Sequence, residues 1–169
     1  MDLYLLIDGI GFFAPVILFG LSCLLLRHMS SYLKFYLVGT VLNNILNILL
    51  KLAIKEPRPS KDQKFIEIGV TNGAIISFDK FGMPSGHAQN CSFSLAFITF
   101  VFNNPFITTI YLIISLISIM QRYMYNNHTV LQLIIGFIIG LIAGYLTYLF
   151  GSKHIMGNIK TKKDDYFYN

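Results

Sequence analysis

The sequence predicts an all-α, polytopic transmembrane helical bundle of about five spans, in a single domain covering residues 1–169. Three observations predict it. Hydrophobic residues make up 54% of the chain and charged residues only 12%, far from the balance of a water-soluble domain. Mean hydropathy is +0.61. The apolar residues are gathered into five runs, parted by short polar turns and one long loop of mixed charge, and runs near 20 residues suit a hydrocarbon core about 30 Å thick.

The first span covers residues 9–26 and carries no charge. Pro15 lies inside it, as membrane helices tolerate. Residues 1–8 are short and acidic, without the basic start of a secretory leader. Arg27, His28 and Lys34 bracket a turn, and the second span, 32–55, then ends among lysines that can lie along the helix with their ammonium groups in the interface. Asn44, Asn47 and Lys51 fall on one side of it, and the asparagines are expected to hydrogen-bond between helices. Lys51 and Arg58, two helical turns apart, share a face if the helix persists toward Pro57.

Residues 56–84 form a loop too long for a plain connector. Within it, 65–70 and 74–78 flank Thr71-Asn72-Gly73, the pattern of a small hairpin. Either a lid or a tether fits. The third span, 85–102, stops at the turn signal Asn103-Asn104-Pro105. The fourth, 106–121, delivers Arg122 at its end. Tyr123, Tyr125, Asn126 and Asn127 fill an interfacial connector, and His128 precedes the fifth span, 129–150. Gly136, Gly140 and Gly144 form a small-residue ridge suited to close helix packing. Cys23 and Cys91 both fall in apolar runs and imply no disulfide framework.

The stretch Gly82-Met83-Pro84-Ser85-Gly86-His87-Ala88-Gln89 opens the third span with a histidine in its first turn. A helix N-terminus presents unpaired N–H groups and the positive end of the dipole to an anion. Ser85 can cap the helix or donate to an oxygen, Gly86 allows close backbone approach, and Pro84 pre-sets the turn. By itself this is also what an ordinary capped helix looks like. Because successive span ends alternate between the two membrane faces, Lys51, Arg58, His87, Arg122 and His128 all emerge on the same side. Three cations and two imidazoles there make a phosphate site.

The opposite side carries Arg27, Lys34, Lys153, Lys160, Lys162 and Lys163 against Asp164 and Asp165, net +4; the site side is net +1. By the positive-inside rule the tail, 151–169, is cytoplasmic and the site faces the lumen or the exterior.

Taken together, Lys51-x6-Arg58-Pro59, Pro84-Ser85-Gly86-His87 and Arg122-x5-His128 resemble the three-part signature of the type 2 phosphatidic acid phosphatase and haloperoxidase superfamily, over roughly residues 50–145. Two positions depart from it: Gln121 stands where a serine usually precedes the arginine, and Gln132 where an aspartate usually follows the histidine by four residues. Glutamine at the latter position, with Arg122-Tyr123-Met124-Tyr125, looks like the dolichyl diphosphatase branch, although that branch usually has a second serine at Gly86.

The resemblance implies a membrane lipid phosphatase. His128 would be the nucleophile that forms a phosphohistidine, and His87 the general acid and base. Lys51, Arg58, Ser85, Gly86 and Arg122 would hold the phosphoryl oxygens. No cofactor and no metal are expected, because fixed cations do the work of a magnesium ion and the sequence has no carboxylate cluster to hold one. Gln132, one turn beyond His128, would orient it: with its amide oxygen inward it accepts the second imidazole N–H, and with its NH2 inward it imposes the wrong tautomer. On this reading Gln132→Asp is expected to retain activity.

A polyprenyl diphosphate of the dolichyl type is the expected substrate, with phosphatidate or another lipid monophosphate the alternative. A second alternative is a non-catalytic binder of anionic lipid, suggested by Gln121 and Gln132. A haloperoxidase does not suit a site set among membrane spans. Membrane lipids are the expected surroundings, in the endoplasmic reticulum of a eukaryote; no nucleic-acid partner is expected, and the oligomeric state is open.

Overall fold

A computed structural model describes residues 3–59 and 81–158. Among them are five helices: α1 (Leu3–Leu25), α2 (Ser30–Ile54), α3 (Gly86–Phe102), α4 (Pro105–Met124) and α5 (Val130–Asn158). The hairpin expected around Thr71-Asn72-Gly73, and with it the question of a lid, lies outside the described residues, as does the tail beyond residue 158. Helix extends past the apolar runs at both ends of the chain. α1 begins before Asp8, and α5 carries on through the first residues of the expected tail.

Four helices are long and apolar enough to cross a membrane: α1 from Leu6, α2, α4, and α5 to Ile155. α3 has 17 residues, about 25 Å of helix, and it occupies the centre. It packs against all four others, most extensively against α5, while α1 pairs with α4 and α2 with α5. Position explains its sequence. Because α3 is enclosed by protein, Gln89, Ser92 and Ser94 can lie buried in it with helical neighbours as partners instead of lipid.

Polarity runs opposite to that of a water-soluble protein. Val16, Val38, Val41, Leu49 and Met120 face outward, while Asp8, Lys51, Gln89, Arg122 and Gln132 are buried. This is the arrangement of a multi-pass membrane protein, in which polar groups turn away from lipid toward one another.

The packing devices are local. The glycine ridge of α5 lets α3 approach so closely that a Cβ at Gly140 would collide with the Gln89 carbonyl, and one at Gly144 with the Phe93 carbonyl. Between α2 and α3 runs an amide ladder: Asn47 Nδ2 donates to Gln89 Oε1 at 2.7 Å, Gln89 Nε2 to Asn43 Oδ1 at 2.9 Å, and Asn43 Nδ2 to Asn90 Oδ1 at 2.8 Å. The asparagines do bond between helices, but the buried line is Asn43, Asn47 and Lys51; Asn44 sits on the exposed flank, accepting from Asn90 Nδ2. In α1, Pro15 lacks the N–H that would bond the Gly11 carbonyl. Ser118 Oγ of α4 donates to that carbonyl instead, at 2.9 Å.

Turn chemistry sets the ends. Lys55 closes α2 with φ 55 and donates its N–H to the Lys51 carbonyl, and Asn103 closes α3 with φ 47; both are left-handed caps. Asn104 Oδ1 then accepts from the N–H groups of Phe106 and Ile107, with Pro105 in the first turn of α4. The helix expected to persist toward Pro57 therefore stops at Ile54. Proline disfavours helical backbone at the residue before it, and Pro57 instead forms an antiparallel bridge with Phe81.

Candidate active site

The site forms where the last turn of α2, the first turns of α3 and α5, and the end of α4 meet. Ser85 caps α3, its Oγ accepting from Ala88 N at 3.5 Å, and its own N–H donates to the Gln132 carbonyl at 3.1 Å. That bond ties the start of α3 to the first turn of α5. Gly86 faces Asn47, so near that an added Cβ would stand 3.3 Å from its Oδ1.

His128 lies in the connector before α5 and is only 3% exposed. Arg58 Nη1 donates to its Nε2 at 3.1 Å and to the Asn127 carbonyl at 3.4 Å. So Arg58 reaches His128 along the extended segment after α2, not from a face of that helix. On the other side of the ring, Nδ1 donates to Gln132 Oε1 at 3.2 Å. Burial first, then the charges of Arg58 and Lys51, hold the His128 pKa well below its ordinary 6.5, against the Gln132 bond, which raises it. The ring is neutral at neutral pH.

Which way the Gln132 amide faces is decided by its neighbours. Oε1 also accepts from Thr129 N at 3.3 Å, while Nε2 donates to Glu56 Oε1 at 2.7 Å and to the Pro57 carbonyl at 2.9 Å. A backbone N–H can only donate and a carbonyl can only accept, so the amide oxygen points at His128. Of the two orientations open to the sequence, this is the one that makes Nδ1 the protonated nitrogen and leaves the Nε2 lone pair toward Arg58. Gly82 closes the arrangement, since a Cβ there would collide with the amide itself.

His87 and Arg122 gather around α1. His87 Nε2 donates to the Phe12 carbonyl at 3.1 Å, and Arg122, 2% exposed, sits with its guanidinium carbon 5.1 Å from the Phe12 ring centre. Lys51 is 5% exposed at the foot of the amide ladder, near enough to act on His128. Thus the residues picked out by sequence converge: Arg58, His128, Gln132 and Ser85 through direct bonds, Gly86 through Asn47, His87 and Arg122 through Phe12, and Lys51 through its field. Among the described residues, no three His, Cys, Asp or Glu side chains cluster as a metal site.

Sequence reasoning missed three participants. Glu56 stands directly before Pro57-Arg58, and that adjacency is the signal that could have found it. The Phe12 carbonyl left none, because backbone atoms carry no residue signature. Asp8, 5% exposed, accepts from Gln121 Nε2 at 2.9 Å; a carboxylate in an apolar helix signals a buried polar partner.

An apolar furrow of about 460 Å³ opens between α4 and α5, which barely touch. Tyr123 and Val130, next in the chain to the Arg122 and His128 region, line its upper end, and Leu116 and Ile138 its lower.

Compared with known proteins, the sequence model of the PAP2 superfamily matches residues 32–156. The chain belongs to the PAP2 superfamily. This PAP2 protein is 28% identical over 146 residues to the palmitoyl-protein thioesterase-dolichyl pyrophosphate phosphatase fusion 1 of Schizosaccharomyces pombe, covering 79% of this chain and 21% of that one. It is 30% identical over 144 residues to the chloroplastic lipid phosphate phosphatase epsilon 2 of Arabidopsis thaliana, covering 78% of this chain and 43% of that one. The match therefore spans less than half the length of either relative. No solved structure matches the PAP2 chain.

Proposed function

We propose that the protein is an integral membrane lipid phosphatase that removes a phosphoryl group from a polyprenyl diphosphate of the dolichyl type through a phosphohistidine intermediate. The observation that carries this reading is the polarity of His128: Nδ1–H bonded to Gln132 Oε1, the Nε2 lone pair facing Arg58. A neutral, oriented imidazole beside a guanidinium is a nucleophile placed next to a phosphoryl anchor.

On phosphate entry, Arg58 exchanges its bond to Nε2 for one to a phosphoryl oxygen. Nε2 then attacks phosphorus, the bond to the leaving oxygen breaks, and His87, protonated on Nδ1 by the acidic proton that the phosphate brings in, passes that proton to the leaving oxygen. In the second step His87 accepts a proton from water, the water oxygen bonds to phosphorus, and the N–P bond breaks to free His128 and inorganic phosphate. With His87 Nε2 held by the Phe12 carbonyl, Nδ1 is the nitrogen that moves the proton. Lys51, Arg58 and Arg122, with Ser85 and the N–H groups at Gly86, offset the charge that builds on the phosphoryl oxygens, the role a metal ion would otherwise have. The furrow between α4 and α5 takes the apolar chain of the substrate, because it starts at the level of the site and is lined by aliphatic side chains. The excess of basic residues on the opposite face supports a site facing the lumen or exterior, in the endoplasmic reticulum if the cell is eukaryotic.

Phosphatidate or another lipid monophosphate is the second reading, favoured by the name of the Arabidopsis thaliana relative. The non-catalytic reading, suggested by Gln121 and Gln132, is separated from both by turnover.

The test is phosphate release by purified protein in detergent, with and without EDTA, from a polyprenyl diphosphate and from phosphatidate. Release from the diphosphate that survives EDTA and vanishes in His128→Ala is the expected result. Preference for phosphatidate would transfer the substrate to the second reading, and a folded protein that releases from neither would leave only lipid binding.

A further inference from the structure

Gln132 is an amide where a carboxylate usually supports the nucleophile, and it makes its bond to His128 with no charge of its own. The charge stands one bond further back. Glu56 Oε1 accepts from Gln132 Nε2 at 2.7 Å while Gln132 Oε1 accepts from His128 Nδ1 at 3.2 Å, so imidazole, amide and carboxylate form one continuous chain of donors and acceptors. Glu56 is held there by backbone. Its carbonyl accepts from Gly82 N at 2.8 Å, and the next residue, Pro57, bridges Phe81.

We propose that Glu56 is a positioning residue: it locks the Gln132 amide with its oxygen toward His128 and supplies, through that amide, the negative charge that a directly bonded carboxylate would otherwise give. The Pro57 carbonyl shares the first task, accepting from the same Nε2 at 2.9 Å, but carries no formal charge for the second. As Nε2 bonds to phosphorus the imidazole gains positive character, and a carboxylate polarising the amide offsets it.

The arrangement also revises the expectation for Gln132→Asp. A carboxylate at 132 would face the carboxylate of Glu56, and like charges that close oppose one another. Glu56 thus helps when residue 132 is an amide and hinders when it is an acid.

The inference rests on the proposed role of His128, and the experiment separates the two. Phosphate release is measured for wild type, His128→Ala, Glu56→Gln, Gln132→Asp and the Glu56→Gln/Gln132→Asp pair, with thermal unfolding in detergent for each. In the wild-type background Glu56→Gln is expected to lower kcat roughly 10-fold to 100-fold, by analogy with the outer partners of metal-bound histidines, with KM changed less than about twofold. In the Gln132→Asp background the same substitution is expected to raise kcat. This reversal of sign is the signature, since a residue needed only for folding lowers both backgrounds alike. Equal losses in the two backgrounds, or no loss in either, would overturn the role of Glu56 while leaving that of His128 intact. Should Glu56→Gln not fold, Glu56→Asp takes its place: it keeps the charge but draws it back by one methylene, and kcat within twofold of the Glu56→Ala value would overturn the proposal. Unchanged release in His128→Ala would overturn both.

Discussion

His87 of α3 donates from Nε2 to the backbone carbonyl of Phe12 in α1, 3.1 Å away. The contact brings into the site a helix that lies wholly before residue 32, where the family match begins. α1 has three such connections: the Phe12 carbonyl to His87, the Phe12 ring under Arg122, and Asp8 to Gln121. It acts as the outer support for the ends of α3 and α4.

Replacing the Phe12 ring therefore tests α1 through Arg122. Phe12→Leu keeps an apolar side chain and removes the π face, while the backbone carbonyl remains for His87. A desolvated cation–π contact contributes about 1 to 2 kcal/mol, so kcat/KM is expected to fall about tenfold with thermal stability close to wild type. Unchanged kcat/KM would show that Arg122 is held by its other contacts alone.

Close approach of α3 and α5 predicts a contrast between glycines. Gly140→Ala places a methyl group against the Gln89 carbonyl and Ser92 Oγ, whereas Gly20→Ala meets nothing within 4 Å. The first is expected to destabilise by about 1 to 3 kcal/mol. The second should leave stability unchanged or raise it by up to about 1 kcal/mol, through helix propensity. Thermal midpoints in one detergent compare them directly.

Stability should depend on pH through His128. Its folded pKa is lowered well below 6.5 by burial and by Arg58 and Lys51, so the folded protein binds fewer protons than the unfolded chain once pH drops under the unfolded value. The sign follows: above about pH 6.5 the group is neutral in both states, and below it stability is lost by up to about 1.4 kcal/mol per pH unit until the folded pKa is reached. Between pH 7 and 5 the wild type is expected to lose more stability than His128→Ala. Parallel losses would assign the acid sensitivity to other groups.

Chain docking predicts a selective defect. Ile134 lines the furrow between α4 and α5, half-exposed, so Ile134→Trp can fill space there without entering the core. KM for a long-chain substrate is expected to rise about tenfold, equivalent to about 1.4 kcal/mol of lost apolar contact, while a short-chain phosphate is turned over as before. Equal effects on both would place the chain elsewhere, and no effect on either would leave the furrow to bulk lipid.

Much of this protein is determined within short reaches of its sequence. The apolar runs specify the helices because lipid requires each segment to satisfy its own backbone, and Gly136, Gly140 and Gly144 mark a packing face because one-turn spacing aligns small residues along a helix. Pro84-Ser85-Gly86-His87 reads as a helix start for the same local reason, and alternation of span ends leads to the expectation that five charged or basic residues gather at one end of the bundle.

Tertiary structure decided what depends on polarity between distant groups. An amide has two faces that sequence cannot tell apart, and at Gln132 the choice was made by Thr129, Pro57 and Glu56 together. A carbonyl such as that of Phe12 is written at every position of the chain, and acquires a meaning only when α3 sets an imidazole against it. Asp8 and Gln121 are 113 residues apart, and nothing in either local pattern names the other. Hydropathy acts along a segment, whereas a hydrogen bond needs two groups at about 3 Å in matching orientation, and only the packed bundle supplies both.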